Sequence, residues 1–198
     1  ALHAFKIAKQ DRKFDSVIIL GLGPIGVLLA SWCKLNNISN VIGVDRNENR
    51  FKNFQKLGFE NIIDTKKDDI EEKINKFTLN DKVEIAFECS GSEELLNKGI
   101  LNLKKSGKIV VLSNQIKKST LYHNTLNKIL RQEIQIKGSW SSVIDPHNEW
   151  EETLNMIDNN KLEIKNLISH HFRLSDAPNL FKSMYKKEFK FSKVILSL

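Results

Sequence analysis

The stretch Ser16-Val-Ile-Ile-Leu-Gly-Leu-Gly-Pro-Ile-Gly26 decides the fold of this 198-residue chain. An apolar run stops at Gly21, and Gly23 and Gly26 complete a G-x-G-x-x-G spacing that leads into a second apolar run. Gly21 permits a tight turn, Gly23 lets the backbone approach a pyrophosphate, and Gly26 lets a helix pack closely on the strand. The pattern therefore predicts a strand, a turn and a helix, with the positive end of the helix dipole facing the phosphates of a dinucleotide.

The second predicted strand supports this interpretation because it ends in an acid. Asp45 closes the apolar run 40–44 and lies 19 residues after Gly26, close to the roughly 20 expected for a carboxylate that binds the adenosine ribose. Such an acid repels the extra phosphate of NADP, so NAD is the preferred cofactor. Arg46 and Arg50 weaken that preference, because an arginine near this point can accept a 2′-phosphate. The alternative is an aspartate that only caps the following helix.

Apolar strands alternate with amphipathic helices as far as residue 140. The predicted strands lie at 16–20, 40–45, 61–64, 83–89, 108–112 and 134–140. Strands separated by helices form a parallel sheet, and right-handed crossovers make that sheet doubly wound. The predicted fold class is therefore α/β, a Rossmann six-stranded parallel sheet. Its ligand crevice is expected at the carboxyl ends of the strands, where the strand order reverses.

Composition argues against several other classes of function. The net charge is +7, but the basic residues are dispersed and do not form a basic run with interleaved aromatic residues, so we expect no nucleic-acid partner. No run approaches the ~20 apolar residues of a membrane span, and we expect no membrane partner. The two cysteines make neither a disulfide framework nor a zinc site. We therefore expect a cytoplasmic protein.

Four motifs follow one another along the chain in an informative order. They are Gly-Leu-Gly-Pro-Ile-Gly at 21–26, Val-Asp at 44–45, Phe-Glu-Cys-Ser-Gly at 87–91 and Ile-Lys-Gly-Ser-Trp at 136–140. Together they resemble the coenzyme-binding half of the zinc-containing medium-chain alcohol and polyol dehydrogenases, and the resemblance covers essentially the whole chain. With Asn-Glu-Trp at 148–150, the chain is most similar to the galactitol-1-phosphate 5-dehydrogenases. Sorbitol, ribitol-phosphate and threonine dehydrogenases are the alternatives.

The resemblance implies that residues around the predicted crevice bind NAD. The expected set is Gly21, Gly23, Pro24, Ile25, Gly26, Asp45, Arg46, Arg50, Cys89, Ser90, Leu112, Ser113, Asn114, Ser139, Trp140, Ser141 and Lys193. Within this set the backbone of residues 24–26 would hold the pyrophosphate. Asp45 would bind the adenosine ribose, and Arg50 would lie beside that ribose or over the adenine.

The other expected residues belong to the nicotinamide half of the cofactor. Residues 89–90 would line the nicotinamide side, and residues 112–114 would offer backbone groups to the nicotinamide or its ribose. Residues 139–141 would close the carboxamide end. Lys193 would reach the pyrophosphate or, as the alternative, would face solvent on an edge strand.

The resemblance also implies a longer enzyme. In the family a GroES-like catalytic domain with the zinc ligands comes first, and its motifs do not occur in this sequence. We therefore expect an NAD(H)-binding fragment that is inactive alone, with no catalytic or metal-binding residues of its own. The expected division is a nucleotide-binding domain at 1–141, whose residues 1–13 form an inter-domain helix, and a segment at 142–198 that returns toward the catalytic domain.

The expected activity of the intact enzyme is NAD-dependent oxidation of a polyol or polyol phosphate to a ketose, with zinc bound outside this chain. The expected partners are that small-molecule substrate and a second copy of the chain, paired through strand six at 134–140. A stand-alone regulatory module that senses NADH is the alternative function.

Overall fold

A six-stranded parallel sheet forms the centre of the protein in a computed structural model, which describes residues 1–10, 13–114 and 119–198. Every neighbouring pair of strands is parallel. In chain order the strands are β1 (Ser16–Leu20), β2 (Asn40–Asp45), β3 (Ile62–Asp64), β4 (Val83–Glu88), β5 (Leu103–Val111) and β6 (Gln135–Gly138). Across the sheet the order is β3-β2-β1-β4-β5-β6. The order reverses between β1 and β4, so the doubly wound α/β fold predicted from the sequence is confirmed.

Helices connect these strands and continue beyond the sheet. They are α1 (Leu2–Lys9), α2 (Pro24–Leu35), α3 (Glu48–Gln55), α4 (Ile70–Thr78), α5 (Glu93–Leu101), α6 (His123–Gln132), α7 (Glu149–Asp158) and α8 (Ala177–Tyr185). Two further strands, β7 (Ile168–Arg173) and β8 (Lys193–Ser197), form a separate two-stranded parallel sheet. Among the helices described, none combines the length and the apolar character that a membrane span needs.

The sheet separates two apolar layers, because alternate side chains of a strand point to opposite faces. On β1, Val17 and Ile19 belong to the layer that contains α1 and α2, whereas Ile18 and Leu20 belong to the opposite layer. All five residues of β1 are buried. A strand that is covered on both faces reads as a continuous apolar run, which explains why β1 was recognisable from sequence.

Helix α1 is attached to the sheet by a buried lysine. Lys108 on β5 is 2% exposed, and its Nζ donates to the backbone oxygens of Ile7 (3.1 Å) and Ala8 (3.3 Å) at the end of α1. Cations stabilise the carbonyl end of a helix in this way. The helix predicted at 1–13 is observed over Leu2–Lys9, and residues 11 and 12 lie outside the described part of the chain.

The fifth and sixth strands depart most from their predicted bounds, and β3 and β4 are each one residue shorter than predicted. The fifth strand was predicted at 108–112 and runs from Leu103 to Val111, with a register shift against β4 between Val83 and Ile85. The sixth was predicted at 134–140, but β6 covers only Gln135–Gly138. Its pairing partner β5 ends at Val111, which pairs with Gly138, so the chain leaves the sheet beyond that point.

Candidate functional site

The turn between β1 and α2 depends on three glycines with different surroundings. Gly21 has φ +101°, and a Cβ there would lie 3.1 Å from the backbone of Cys89 and Ser90. A Cβ on Gly26 would lie 2.0 Å from the carbonyl oxygen of Gly21, so this position admits glycine alone. At Gly23, by contrast, a Cβ would meet no described atom within 4 Å beyond its chain neighbours. The turn is therefore packed on its inner side and open at Gly23.

The first turn of α2 presents its N–H groups at this open side. Gly23 occupies the N-cap position without a side-chain cap, and Pro24 follows as the first helical residue. The first helical bond runs from the Val27 N–H to the Gly23 oxygen, at 3.0 Å. Proline has no N–H, so the amides of Ile25 and Gly26 supply the donors here. Backbone donors at the positive end of a helix form a ready anion site.

Asp45 links the glycine turn to the second strand. Its carboxylate is 4% exposed, and Oδ2 accepts from the Leu22 N–H at 2.8 Å and from Arg50 Nη1 at 3.1 Å. Oδ1 accepts the N–H groups of Arg46 and Asn47 at 2.8 and 2.9 Å. The carboxylate thus braces the backbone at Leu22 within the glycine turn. The cap of α3 is Asn47, whose side chain accepts from the Asn49 N–H.

A cleft of about 320 Å³ opens beside the start of α2. Its walls bring together residues from four separate parts of the chain, namely Ala1, Ile25, Leu112, Ser139, Trp140 and Ser141. Five of these were predicted from the sequence as cofactor residues, and the fold places them side by side. Ser139 is held to β5 because its N–H donates to the Val111 oxygen at 2.9 Å. Trp140 extends from this point and is 78% exposed.

A fully buried carboxylate that sequence reasoning missed organises the next part of the site. Glu88 ends β4 with 0% exposure, and its Oε1 accepts from the Ser90 N–H (2.8 Å), the Ser90 hydroxyl (2.5 Å) and the Gly91 N–H (3.0 Å). The Ser113 hydroxyl donates to Oε2. The hydroxyls of Ser90 and Ser113, two of the four predicted serines, are therefore directed at Glu88. The available signal was an acid at the end of an apolar strand, two residues before a serine.

The loops after β4 and β5 also approach each other through their backbones. Gly91 has φ +70°, and a Cβ there would lie 3.0 Å from the carbonyl oxygen of Asn114. The Leu112 N–H donates to the backbone carbonyl oxygen of Glu88 at 2.9 Å. Together with the bonds to the Glu88 carboxylate, these contacts bring the predicted residues 89–90 and 112–114 together at the ends of β4 and β5.

Cys89 lies at this edge and is a poor nucleophile. Burial raises the pKa of its thiol, and the negative charge of Glu88 raises that pKa further. Burial likewise raises the pKa of the Cys33 thiol on α2 to about 12. A thiol with a raised pKa carries almost no thiolate near neutral pH.

Lys193 and Arg46 are among the predicted cofactor residues that do not line the cleft. Lys193 is exposed at the start of β8, where it pairs with Ile168 in the two-stranded sheet. Arg46 is exposed beyond Asp45. Neither lines the cleft, so the predicted contact of Lys193 with a pyrophosphate stays a prediction.

The described residues do not fit a zinc ion. In the ranges 1–10, 13–114 and 119–198, no group of three or more His, Cys, Asp or Glu side chains is arranged to hold a metal. A catalytic zinc requires about three protein ligands and an open position.

Comparison with known proteins identifies the family. The family model described as zinc-binding dehydrogenase matches residues 24–159, more than half of the chain. Sorbitol dehydrogenase from Halalkalibacterium halodurans is 28% identical over 184 residues, which cover 92% of this chain and 52% of that protein. The chain spans about half the length of the curated relatives it matches.

Solved structures share the fold at lower identity. Galactitol-1-phosphate dehydrogenase from Escherichia coli has a TM-score of 0.85 at 21% identity, with coverage of 98% of this chain and 56% of that chain. An Escherichia coli protein described as a short chain alcohol dehydrogenase, and solved with NADH, has a TM-score of 0.81 at 19% identity over 100% of this chain and 58% of its own. The chain therefore belongs to the zinc-binding dehydrogenase family and matches the coenzyme-binding half of these enzymes.

Proposed function

We propose that this chain binds NAD(H) for a zinc-dependent dehydrogenase that oxidises a polyol or a polyol phosphate to a ketose. The observation that carries the proposal is the open side of the glycine turn at Gly23, which faces uncapped N–H groups of α2. A pyrophosphate is the group that such a turn accommodates. Family membership favours this function over a stand-alone NADH sensor.

We infer one path for a dinucleotide along the residues of the chain. The amides of Ile25 and Gly26 would donate to the pyrophosphate, and the cleft beyond Ile25 would take the nicotinamide half against Leu112 and residues 139–141. Bound NAD would accept a hydride from the carbinol carbon of the substrate. The contribution of this chain is to bind the dinucleotide, orient its nicotinamide ring and shield that ring on one side.

Asp45 supports NAD as the preferred form. A ribose would reach the carboxylate from the side of Arg50, whose side chain is 46% exposed and can move aside. The hydrogen bond from the Leu22 N–H to the carboxylate is buried. A 2′-phosphate at this point would meet the negative charge of Asp45.

The remaining parts of the proposal concern the whole enzyme. We place the zinc ligands outside this chain, and we infer the substrate class from the names of the sorbitol and galactitol-1-phosphate dehydrogenases it resembles. The proposed units are a nucleotide-binding domain at 1–141, with 1–13 as the inter-domain segment, and a segment at 142–198 that faces the catalytic domain. We also propose a homodimer through residues 134–140 and a cytoplasmic location.

Isothermal titration with NADH and NADPH tests the cofactor assignment. NADH is expected to bind at least about tenfold more tightly than NADPH, a difference of about 1.4 kcal/mol. In Asp45→Asn that preference should shrink, because the repulsion of the 2′-phosphate is removed. Glu48→Gln is the matched control, since Glu48 is an exposed acid that pairs with Lys67, and its preference should stay unchanged. Tighter binding of NADPH would refute the role given to Asp45, and binding of neither cofactor would refute the site.

A further inference from the structure

A buried acid lies outside the residues assigned so far, behind the wall of the cleft. Glu149 begins α7 and is only 4% exposed. A carboxylate this buried requires several compensating partners. The partners of Glu149 are His3 on α1, 146 residues away in the chain, and Val143 in the segment after β6, six residues away.

The first set of contacts ties Glu149 to the segment that forms the cleft wall. The Val143 N–H donates to Glu149 Oε2 at 3.0 Å, and the Glu149 N–H donates to the Val143 oxygen at 3.0 Å. These reciprocal bonds close a loop at residue 143. The other end of the segment is held by the bond from the Ser139 N–H to β5. Residues 139–143 are thus fixed at both ends, with Trp140 and Ser141 between.

The segment needs these two attachments because its backbone is strained. Ser141 has φ +60°, in the left-handed region that favours glycine. Such a conformation persists only where the surrounding structure holds it. Trp140 and Ser141 are both exposed, so side-chain burial does not hold them. The hydrogen bonds at Ser139 and Val143 therefore carry this task.

The second set of contacts fixes Glu149 to α1. His3 Nδ1 lies 3.1 Å from Glu149 Oε1, which makes Nδ1–H the donor, and Lys6 Nζ lies 3.9 Å from the same oxygen. The N-terminal end of α7 also favours a negative charge at Glu149. Because α1 is itself anchored to β5 through Lys108, the acid connects the cleft wall to the sheet.

We propose that Glu149 is a positioning residue for the nicotinamide half of the dinucleotide, because it holds residues 139–143 in the wall of the cleft. The inference rests on the proposed NAD(H) function. It predicts a selective defect, since the glycine turn and Asp45 lie on the adenosine side and make no contact with Glu149 in the bonds described.

The test compares NADH with ADP-ribose, which carries the adenosine and the pyrophosphate but no nicotinamide. In Glu149→Ala the dissociation constant for NADH is expected to rise about tenfold, while that for ADP-ribose stays within about twofold. Glu149→Gln keeps an oxygen for the Val143 N–H and should restore most of the NADH affinity. Glu152→Ala is the matched control, because Glu152 lies one turn later on α7 and pairs with the same Lys6 at 2.5 Å.

Hydrogen exchange supplies a readout that a loss of overall stability would not reproduce. Amides of residues 139–143 should exchange faster in Glu149→Ala, while those of β1 and β4 should keep their protection. The inference would be overturned if Glu149→Ala bound NADH and ADP-ribose with equally reduced affinity, or if its affinity for NADH were unchanged. If Glu149→Ala does not fold, the same comparison of NADH with ADP-ribose is made in Glu149→Gln. In that variant the dissociation constant for NADH is expected to rise about threefold relative to that for ADP-ribose. Failure of the unaltered protein to bind either ligand would refute the proposed function instead.

Discussion

Single residues in the glycine turn separate the requirements of folding from those of binding. Gly26 and Gly23 lie three residues apart, yet a Cβ at the first would overlap the Gly21 oxygen and a Cβ at the second would meet open space. Gly21 and Gly26 are therefore needed for the fold, whereas the absence of a side chain at Gly23 is needed only by a ligand. The same motif thus serves two purposes that substitution can separate.

Alanine at Gly26 should mainly reduce stability, whereas alanine at Gly23 should mainly reduce binding of NADH. Gly26→Ala is expected to lower the free energy of unfolding by more than about 3 kcal/mol, because backbone atoms cannot move aside for the new methyl group. Gly23→Ala is expected to cost about 1 kcal/mol, the usual loss for alanine at an N-cap, but to weaken NADH binding at least about tenfold. Urea denaturation and NADH titration measure the two effects. Normal NADH affinity in Gly23→Ala would contradict the placement of the pyrophosphate.

At the scale of the elements, the two sheets differ in how well they are covered. All residues of β1 are buried, whereas residues along β7 alternate between partly buried and exposed, and none in β8 is fully buried. A two-stranded sheet is marginal by itself. The segment that contains β7 and β8 is held to the rest through few buried side chains, such as Leu167 and Leu180.

This difference predicts a difference in local stability. Amides in β7 and β8 are expected to exchange at least about tenfold faster than those of β1 and β4, because local opening there exposes little apolar surface. Hydrogen exchange followed by mass spectrometry measures the protection of each peptide. Edge strand β6 provides an internal comparison, since it is exposed but belongs to the large sheet. Equal protection of β1 and β8 would contradict this expectation.

At the scale of the whole molecule, β6 leaves one edge of the large sheet unpaired among the described residues. An open edge strand is a template for pairing with another chain. Ile136 on this strand is 44% exposed. These features support the proposed dimer, in which two copies of β6 would meet.

Substitution at the edge tests that dimer. Ile136→Glu is expected to raise the dissociation constant of the dimer at least about tenfold, because two like charges would face each other at the interface. Sedimentation velocity over a range of concentrations measures the change. Leu79→Glu is the matched control, since Leu79 is 88% exposed at the end of α4, away from β6. A monomeric unaltered protein, or an unchanged dimer in Ile136→Glu, would refute the proposed interface.

Much of the site was predictable because its signals are local. The glycine spacing, the acid at the end of β2 and the apolar runs of the strands depend on residues close together in the chain. The five predicted residues that line the cleft came from the resemblance to the dehydrogenases instead. The length of β6 was not predictable, because strand pairing stops where β5 stops. The position of Lys193 in the two-stranded sheet was not predictable either, since only the fold decides which sheet a terminal strand joins.

The sequence by itself determined the doubly wound sheet, its glycine turn and the carboxylate one strand away. Local spacing and strand burial are sufficient for these, since each depends on a few neighbouring residues. Only the tertiary structure decided the roles of Glu88 and Glu149. Their partners Ser113 and His3 lie 25 and 146 residues away in the chain. Buried carboxylates accept from donors that the fold brings to them, and no local pattern encodes donors as distant in the chain as these two.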